Sequence, residues 1–384
     1  MVTLAPSDET IEVSVILPAL NEEVTIGTCI EKIKKVFLEK GIAGEIIVID
    51  SSTDATGTIA RNLGAIVIRP AKDGYGNAYL AGFRHAKGRY IVMGDADNTY
   101  DFLDIPRMIE PLEKGADLVI GSRFKGKIEP GSMAPLHHYI GNPLLTLMLN
   151  FVFRTGFSDS HSGFRAVRRA ALEKLNLTSG GMEFASEMLI RASRQGLVIT
   201  EIPITYYSRV SPSKLHSFAD GWRHIRFVLL MRPIPFLAFP GIFFACIGFA
   251  LMGIFYMTGI EGSRLHSFIL GALLLLGGTQ GLFMGILIST YSVVHGYQEK
   301  SGFMKIIMNY HSLEKFLVLG GMLILSGILV GAYIIYKWVA SGFGELSEIS
   351  TAIVALLLLI MGMEVLFLSI FTSMMLLNEN NGNA

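Results

Sequence analysis

Charge, cysteine and tryptophan are all scarce in this sequence. Charged residues make up 17% of the 384, whereas 51% are hydrophobic, and this balance is too apolar for an ordinary soluble protein. Lysine plus arginine and aspartate plus glutamate are equal at 32 each, so no basic excess points to nucleic acid as a partner. The two cysteines, Cys29 and Cys246, fall in very different segments, which argues against a disulfide framework or a cysteine-based metal site. The composition therefore predicts a chain that lies partly in a lipid bilayer.

The C-terminal part, residues 235–384, consists of four long apolar runs joined by short polar segments. Each run supplies the roughly 20 apolar residues that a helix needs to cross about 30 Å of hydrocarbon. A buried helix of a soluble protein rarely stays apolar on every face over such a length. The runs predict transmembrane helices at about 236–258, 267–294, 316–338 and 351–377.

The charges between these runs predict the orientation of the chain. The joint between the second and third runs carries Lys300, Lys305 and Lys315, whereas the other two joints carry fewer cations. By the positive-inside rule this joint is cytoplasmic, and with four spans both termini are cytoplasmic too. The first residues also lack the pattern of a signal peptide. We therefore expect a multi-pass protein of the cell membrane, with residues 1–212 as a cytoplasmic domain.

Residues 1–212 alternate short β-branched runs with amphipathic segments. The runs are VSVILPAL, EIIVID, AIVIRP, YIVMGD and DLVIGS. This alternation of strand-like and helix-like segments is typical of an α/β fold in which helices cover both faces of a mostly parallel sheet. Ligands of such sheets bind beyond the carboxyl ends of the strands, so the polar residues that follow the runs are candidate site residues.

A basic and aromatic segment, residues 213–234, joins the two parts. Its cations, among them Arg223, His224, Arg226 and Arg232, are interspersed with apolar and aromatic residues. This pattern predicts an amphipathic helix in the membrane interface, with its cations toward lipid phosphates. A basic linker ahead of the first span is the alternative. Either arrangement holds the N-terminal domain against the bilayer.

Two aspartates, Asp95 and Asp97, directly follow the apolar run YIVMG. Two carboxylates held this close together just past a buried strand repel each other unless a cation neutralises them. A divalent cation such as Mg²⁺ or Mn²⁺ prefers oxygen ligands and usually bridges carboxylates to substrate phosphates. The pair therefore predicts a metal site, and a solvated turn is the alternative.

Other polar residues and glycines follow the remaining runs. Glu22 stands near the start of the first helix, where the helix dipole favours a carboxylate. Asp54 precedes a helix and is explained as its cap, whereas Asp50, at the end of a strand, is not explained in this way. Gly74 and Gly76 let the chain turn close to a ligand.

These motifs together resemble a known enzyme family. The N-terminal part is similar to family-2 glycosyltransferases with a GT-A fold, and in particular to dolichyl-phosphate and polyprenyl-phosphate sugar synthases. The resemblance rests, in chain order, on ILPALNEE, VIDSSTDAT, GYGNAYLAG, GDADNTYD, LVIGSRF, DSHSGFRA and SKL. It implies a GT-A domain followed by a helical domain with four transmembrane spans.

The resemblance further implies a nucleotide-diphosphate sugar as donor, with Mg²⁺ or Mn²⁺ on its diphosphate. The nucleotide-binding residues that it implies are Pro18, Ala19, Asn21, Glu22, Asp50, Gly76, Asp95 and Ala96. The implied metal ligands are Asp95, Asp97 and Thr99, although relatives often have glutamine where this chain has Thr99. Relatives also commonly have Asp-Asp-Gly-Ser where this chain has Asp50 followed by Ser51. This chain therefore has only one acid beside the base of the nucleotide.

The acceptor implied by the resemblance is dolichyl or polyprenyl phosphate. An arginine fork suits a phosphate better than a lysine does, and Arg123 ends a predicted strand. The implied acceptor-phosphate residues are Ser122, Arg123, His138 and Lys214. Asp159, Ser160 and Arg165 form another polar turn, which either borders the sugar or braces its loop.

A lipid phosphate acceptor removes the need for a catalytic base. Its second pKa lies near 6 by analogy with phosphorylated side chains, so it already carries a nucleophilic oxygen at neutral pH. The predicted reaction is transfer of a hexose, from a GDP-mannose or UDP-glucose type of donor, with inversion of the anomeric centre. Asp97 and Arg123 are the predicted catalytic residues, acting by electrostatic stabilisation and positioning.

Two alternatives stay open at this point. A processive polysaccharide synthase would carry a Gln-x-x-Arg-Trp signature, but neither Trp222 nor Trp338 follows that pattern. A nucleotide-regulated membrane carrier or flippase should have paired ionisable residues inside its spans, and Glu364 is the only acid within a run.

Overall fold

The computed structural model describes residues 11–210, 217–258, 263–344 and 348–381. The chain divides between Arg226 and Phe227 into two compact units, an N-terminal α/β unit and a C-terminal helical unit. Of the predicted site residues, Lys214 lies outside the described ranges. The predicted domain boundaries at 212 and 234 stay predictions.

The described part of the N-terminal unit contains a seven-stranded sheet. Its strands are β1 (Val13–Ala19), β2 (Gly44–Asp50), β3 (Ile66–Ile68), β4 (Tyr90–Met93), β5 (Leu118–Ile128), β6 (Arg165–Arg168) and β7 (Ile199–Tyr206). The spatial order is β3-β2-β1-β4-β6-β5-β7. Strands β1 to β4 pair in parallel, β6 runs antiparallel to both of its neighbours, and β5 pairs in parallel with β7. The predicted α/β class with a mostly parallel sheet is confirmed, whereas β6 and β7 were not among the predicted strands.

Helices cover both faces of this sheet. The helices of this unit are α1 (Ile26–Lys40), α2 (Thr56–Asn62), α3 (Tyr75–His85), α4 (Ile105–Glu113), α5 (Asn142–Phe153), α6 (Arg169–Leu175) and α7 (Phe184–Arg194). Successive side chains of a strand point to opposite faces. Val15 and Leu17 of β1 therefore join one core, with Ile30 of α1, whereas Ile16 joins the other, with Phe83 of α3. Both faces of the central strands are thus buried, which explains their continuous apolar runs.

The reversed strand β6 brings distant segments to one edge of the sheet. Arg165, the first residue of β6, pairs with Met93 at the end of β4 and with Ile120 of β5. The polar turn before β6 therefore reaches the same edge as the aspartates that follow β4. An isolated bridge between Tyr100 and Tyr206 joins the end of β7 to this edge as well.

The C-terminal unit is built from long apolar helices. After α8 (Ser217–Met231), whose last residues fall in this unit, come α9 (Phe239–Thr258), α10 (Ser263–Val294), α11 (Gly302–Ile307), α12 (Tyr310–Ala340) and α13 (Ile349–Asn381). Within the described ranges, four segments are long and apolar enough to span a membrane: Ile234–Thr258, Arg264–Val294, His311–Ala340 and Ile349–Leu377. The predicted four-span helical architecture is confirmed. Helix α8 falls within the predicted interface helix, and its position at a membrane surface stays a prediction.

Candidate active site

The turns after β1 and β2 are joined by side chain to backbone hydrogen bonds. Asn21 adopts a left-handed backbone conformation with φ of 51°, and its amide donates to the hydroxyl of Ser52 at 2.7 Å. The side-chain oxygen of Asn21 accepts from the amide of Thr53 at 2.9 Å. The amide of the buried Glu22 donates to the hydroxyl of Thr56 at 2.8 Å. These bonds bring the predicted nucleotide residues of both turns into one polar cluster.

Asp50 borders this cluster through Ser52. It is the last residue of β2 and pairs in register with Ala19 at the end of β1, one residue after Pro18. One carboxylate oxygen of Asp50 accepts from the amide of Ser52 at 3.0 Å. The other lies where a side chain on Gly57 would be, because a Cβ there would stand 2.1 Å from it. Gly57 therefore makes room for the carboxylate, a role that sequence reasoning missed.

The turn that carries Asp95, Ala96 and Asp97 is held rigidly. The backbone oxygen of the buried Ala96 accepts from the hydroxyl of Thr25 at 2.8 Å, which ties the turn to α1. Asp97 is only 2% exposed, and its Oδ1 accepts from the amide of Thr99 at 3.0 Å and from the Thr99 hydroxyl at 2.6 Å. The structure thus explains Thr99 as the residue that orients Asp97. Its role as a metal ligand stays a prediction.

The other oxygen of Asp97 is bound by an arginine that sequence reasoning missed. Oδ2 accepts from Arg209 Nε at 2.7 Å and also from Arg209 Nη2. The two residues are 112 positions apart in the chain. The only local signal was a single arginine just past a β-branched segment, five residues before the lysine of the SKL motif.

Asp95 is half-buried beside Tyr75 of α3 and Gly163 of the turn before β6. A Cβ on Gly163 would stand 2.8 Å from the Tyr75 hydroxyl and 3.0 Å from Asp95 Oδ2, so glycine keeps this space open. Burial, and then the charge of Asp97, raise the pKa of Asp95 to about 7. In the absence of a metal, this carboxyl is therefore partly protonated at neutral pH.

The donor chemistry of this edge fits a divalent metal. Carboxylates are hard oxygen ligands, and Mg²⁺ is commonly held by one or two of them together with waters and substrate phosphates. Among the described residues, no group of three histidine, cysteine or acidic side chains forms a complete protein cage. In the arrangement seen here a cation, the guanidinium of Arg209, already lies against Asp97. The residues therefore fit a metal that completes its coordination with a bound diphosphate.

Arg123 lies within β5, which continues to Ile128, and not at a strand end as predicted. It is held by a buried ion pair on the same edge of the sheet. Its Nε and Nη2 donate to the two carboxylate oxygens of Asp159 at 2.7 and 2.8 Å. Its guanidinium lies 5.2 Å from the ring centre of Tyr206. Burial alone would raise the pKa of Asp159, but the charge of Arg123 outweighs it and holds that pKa below the usual value. Both groups are therefore charged.

The structure separates the roles of the turn before β6. Arg165 is fully buried and donates to the backbone oxygens of Ser160, Ser162 and Ala185 at 2.7 to 2.9 Å. It braces the loop, whereas Asp159 orients Arg123. Of the two roles left open for this turn, bracing is what the geometry shows for Arg165.

Three other predicted residues have internal partners. The buried Ser122 hydroxyl lies 2.6 Å from the Ser158 hydroxyl. His138 stacks on Tyr139 with ring centres 4.4 Å apart. A Cβ on Gly76 would stand 2.1 Å from the backbone oxygen of Ser179, so the close approach that Gly76 allows is to the protein's own backbone. Ligand contacts of these three residues stay predictions.

An exposed apolar surface lies in the segment between Arg123 and Asp159. It occupies one side of α5 and of the helical turn before it, and its large side chains are 57% to 74% exposed. We call this surface the α5 apolar face; its residues are Leu136, Tyr139, Ile140, Leu144, Leu147 and Phe151. The opposite side of α5, including Leu149 and Val152, is buried. The sequence from 130 to 158 contains no acidic residue. Such a patch indicates an apolar partner.

Both units resemble known proteins. Residues 14–176 match the model for glycosyl transferase family 2, and residues 286–376 match the model for the C-terminal transmembrane region of family-2 glycosyltransferases.

Three relatives extend these matches. The low-salt glycan biosynthesis hexosyltransferase Agl6 of Haloferax volcanii is 42% identical, over 94% of this chain and 89% of the relative. The dolichyl-phosphate hexose transferase of the same organism is 31% identical, over 55% of this chain and 89% of the relative. The polyprenol monophosphomannose synthase of Mycolicibacterium smegmatis is 30% identical, over 54% of this chain and 80% of the relative.

Proposed function

This chain belongs to glycosyltransferase family 2, and from that premise we propose that it transfers a hexose from a nucleotide-diphosphate sugar to dolichyl or polyprenyl phosphate. It is a multi-pass membrane enzyme with a GT-A domain. We place the reaction at the cytoplasmic face, because the joint between the second and third spans carries Lys300, Lys305 and Lys315.

One observation carries the proposal. A pair of acids suited to a metal-bound diphosphate, Asp95 and Asp97, shares an edge of the sheet with a charged arginine, Arg123, in a chain that also has four membrane spans. A site with an arginine fork can hold a second phosphate beside the first. The spans supply the environment in which a lipid-linked phosphate is found.

On the donor side, we propose that Pro18, Ala19, Asn21, Glu22 and Asp50 bind the nucleotide. Their turns are already fixed to each other by the Asn21–Ser52 and Glu22–Thr56 hydrogen bonds, so little ordering is needed on binding. Asp95 and Asp97 would hold Mg²⁺ or Mn²⁺. When bound, such a metal neutralises charge that develops on the leaving diphosphate.

On the acceptor side, we propose that Arg123 binds the lipid phosphate and that the α5 apolar face lies against the bilayer. Asp159 fixes the guanidinium of Arg123 through two hydrogen bonds, which leaves its remaining N–H groups for a ligand. The α5 apolar face belongs to the segment that joins these two residues. A lipid whose tail lies in the bilayer could thus present its phosphate to Arg123.

The chemistry that follows needs no protein base. The lipid phosphate is already ionised at neutral pH, so its oxygen can attack the anomeric carbon as the bond to the diphosphate breaks. Arg123 would orient the attacking phosphate. Asp97, which is fixed by Thr99, would hold the metal against the leaving diphosphate. A single displacement inverts the anomeric centre.

The names of the relatives support the same reaction class. One is called a dolichyl-phosphate hexose transferase and another a polyprenol monophosphomannose synthase. The relative that matches over most of this chain is called a hexosyltransferase.

The test is a transfer assay with the purified full-length chain. It combines radiolabelled GDP-mannose, UDP-glucose or UDP-N-acetylglucosamine with dolichyl or polyprenyl phosphate and Mn²⁺ or Mg²⁺. We expect one donor to give a lipid carrying a single sugar, and Asp97→Asn to abolish it. Failure of every donor, full activity in Asp97→Asn, or a product with many sugars would each overturn the proposal.

A further inference from the structure

We infer that Arg209 is a built-in competitor of the metal, which holds Asp97 in the metal-free enzyme and gives it up when metal and nucleotide diphosphate bind together. This inference rests on the proposed function, since it takes Asp97 as a metal ligand. It adds a contribution of Arg209 to the coupling between metal and nucleotide, which the proposed reaction does not require.

The hydrogen bonds of Asp97 show why a metal must compete. Thr99 occupies Oδ1 with two donors, and Arg209 occupies Oδ2 with two more. Asp97 is also almost entirely shielded from water. A metal that takes Oδ2 as a ligand therefore has to displace the guanidinium, because no carboxylate position is left for a second cation.

The two residues that bind this carboxylate, Thr99 and Arg209, differ in how easily they can move away from it. Thr99 lies in the same tight turn as Asp97, two residues away, and its side chain is buried. The Arg209 side chain is 25% exposed and reaches back from a segment anchored by the bond between the Tyr207 amide and the Thr99 backbone oxygen, at 2.9 Å. Arg209 can rotate toward solvent while the turn stays in place.

Electrostatics then links the metal to the nucleotide. A guanidinium and a divalent cation on one carboxylate repel each other strongly in a site that is shielded from water. A diphosphate supplies anionic oxygens that a displaced arginine can bind. Metal alone must therefore break the Arg209–Asp97 pair without compensation, whereas metal with a nucleoside diphosphate gives the guanidinium a new partner. By linkage, each of the two ligands should strengthen binding of the other.

The experiment measures Mn²⁺ binding by electron paramagnetic resonance of free Mn²⁺, with the full-length protein and with or without UDP or GDP. Wild type should bind Mn²⁺ weakly alone and about 5- to 150-fold more tightly with the matching nucleotide, the usual range of such coupling. Arg209→Gln should bind Mn²⁺ alone at least about fivefold more tightly than wild type. Its coupling should be smaller than that of wild type, because the diphosphate still coordinates the metal but no guanidinium has to be displaced. Arg209→Lys, which keeps the charge, should lie between the two.

Two further variants separate the possible outcomes. Arg107→Gln removes an exposed arginine that pairs with Asp104 elsewhere on the domain, and it should behave like wild type. Asp97→Asn should lose Mn²⁺ binding; if it binds normally, the proposed metal site itself is wrong. If Asp97→Asn loses the metal but a folded Arg209→Gln binds Mn²⁺ no more tightly than wild type, Arg209 is only a structural brace and the inference is overturned.

Discussion

The guanidinium of Arg123 is clamped by the carboxylate of Asp159 through hydrogen bonds of 2.7 and 2.8 Å, and both side chains are buried. The amide of Arg123 donates to the same carboxylate at 3.1 Å. One aspartate therefore fixes both the backbone and the side chain of the arginine. This explains how a charged group is kept in a single orientation at the edge of the sheet.

Removing this clamp should destabilise the N-terminal unit. Asp159→Ala leaves the positive charge of Arg123 buried without its partner, and breaking one half of a buried pair costs about 3–5 kcal/mol. We expect a clearly lower apparent melting temperature of the detergent-solubilised protein by circular dichroism. Asp104→Ala, which breaks an exposed pair with Arg107, is the control and should change it little. Equal melting temperatures for the two variants would contradict a structural role for the clamp.

Substitution of Arg123 should impair use of the lipid phosphate acceptor more than binding of the nucleotide donor. Arg123→Lys keeps the charge but loses the planar fork that can bind Asp159 and a phosphate together. We expect kcat/KM for the lipid phosphate to fall by roughly 10- to 100-fold, since hydrogen bonds to charged groups contribute about 1.5–3 kcal/mol. The Kd for the nucleoside diphosphate, measured by calorimetry, should stay near that of wild type. A large loss of nucleotide affinity instead would place Arg123 on the donor side.

The parts of the site that the sequence predicts are the residues that follow recognisable apolar strands. Asp95 and Asp97 follow one strand, Asp50 ends another, and parallel strands bring such ends to one edge. The Arg209–Asp97 pair could not be read in this way, because it joins residues 112 positions apart. It depends on β7, whose partly exposed sequence ITEIPITY contains a proline and a glutamate and gives no clear strand pattern.

Two further features escaped sequence reasoning for physical reasons. Strand β6 has only four residues, two of them arginines, and Arg165 can be buried there only because three backbone oxygens accept its N–H groups. Helix α5 is apolar on nearly all sides, so periodicity does not reveal which side is exposed. The tertiary packing decides this, because it buries Leu149 and Val152 and leaves the α5 apolar face exposed.

Metal binding should weaken as the pH falls. The pKa of Asp95 in the metal-free protein is raised to about 7, so below this pH the carboxyl is protonated and must release its proton before it can bind a metal. Above pH 8 it is ionised and no such cost applies. Between pH 8 and pH 6 we expect Mn²⁺ affinity to fall about tenfold, as one protonation equilibrium predicts one unit below its pKa.

The matched variant for this prediction is Asp95→Asn, which cannot titrate. It should bind Mn²⁺ weakly and with little dependence on pH in the same electron paramagnetic resonance titration. An affinity that stays constant from pH 8 to pH 6 in the wild-type protein would show that Asp95 is already ionised, or that it does not bind the metal.

The α5 apolar face should lie within the hydrocarbon boundary of the bilayer. A single cysteine at Leu147, which is 65% exposed, can carry a small fluorophore whose quenching by brominated lipids reports its depth. The background needs Cys246→Ala, because Cys246 is exposed, whereas Cys29 is buried. Leu38→Cys on α1 is the matched control, since Leu38 is also an exposed leucine, at 86%, but is not part of such a face. In nanodiscs we expect strong quenching at position 147 and little at position 38.

A charged substitution on the α5 apolar face should show whether the face contacts the membrane or serves the fold of the domain. Leu147→Glu places a carboxylate at a position that is 65% exposed, so the protein should fold normally, but burying that charge in lipid is costly. We expect transfer to a long polyprenyl phosphate in nanodiscs to fall several-fold, while transfer to a short, water-soluble prenyl phosphate in detergent changes little. If both acceptors lost activity equally, the face would serve the fold of the domain and not its contact with lipid; if neither did, the bilayer would not be its partner.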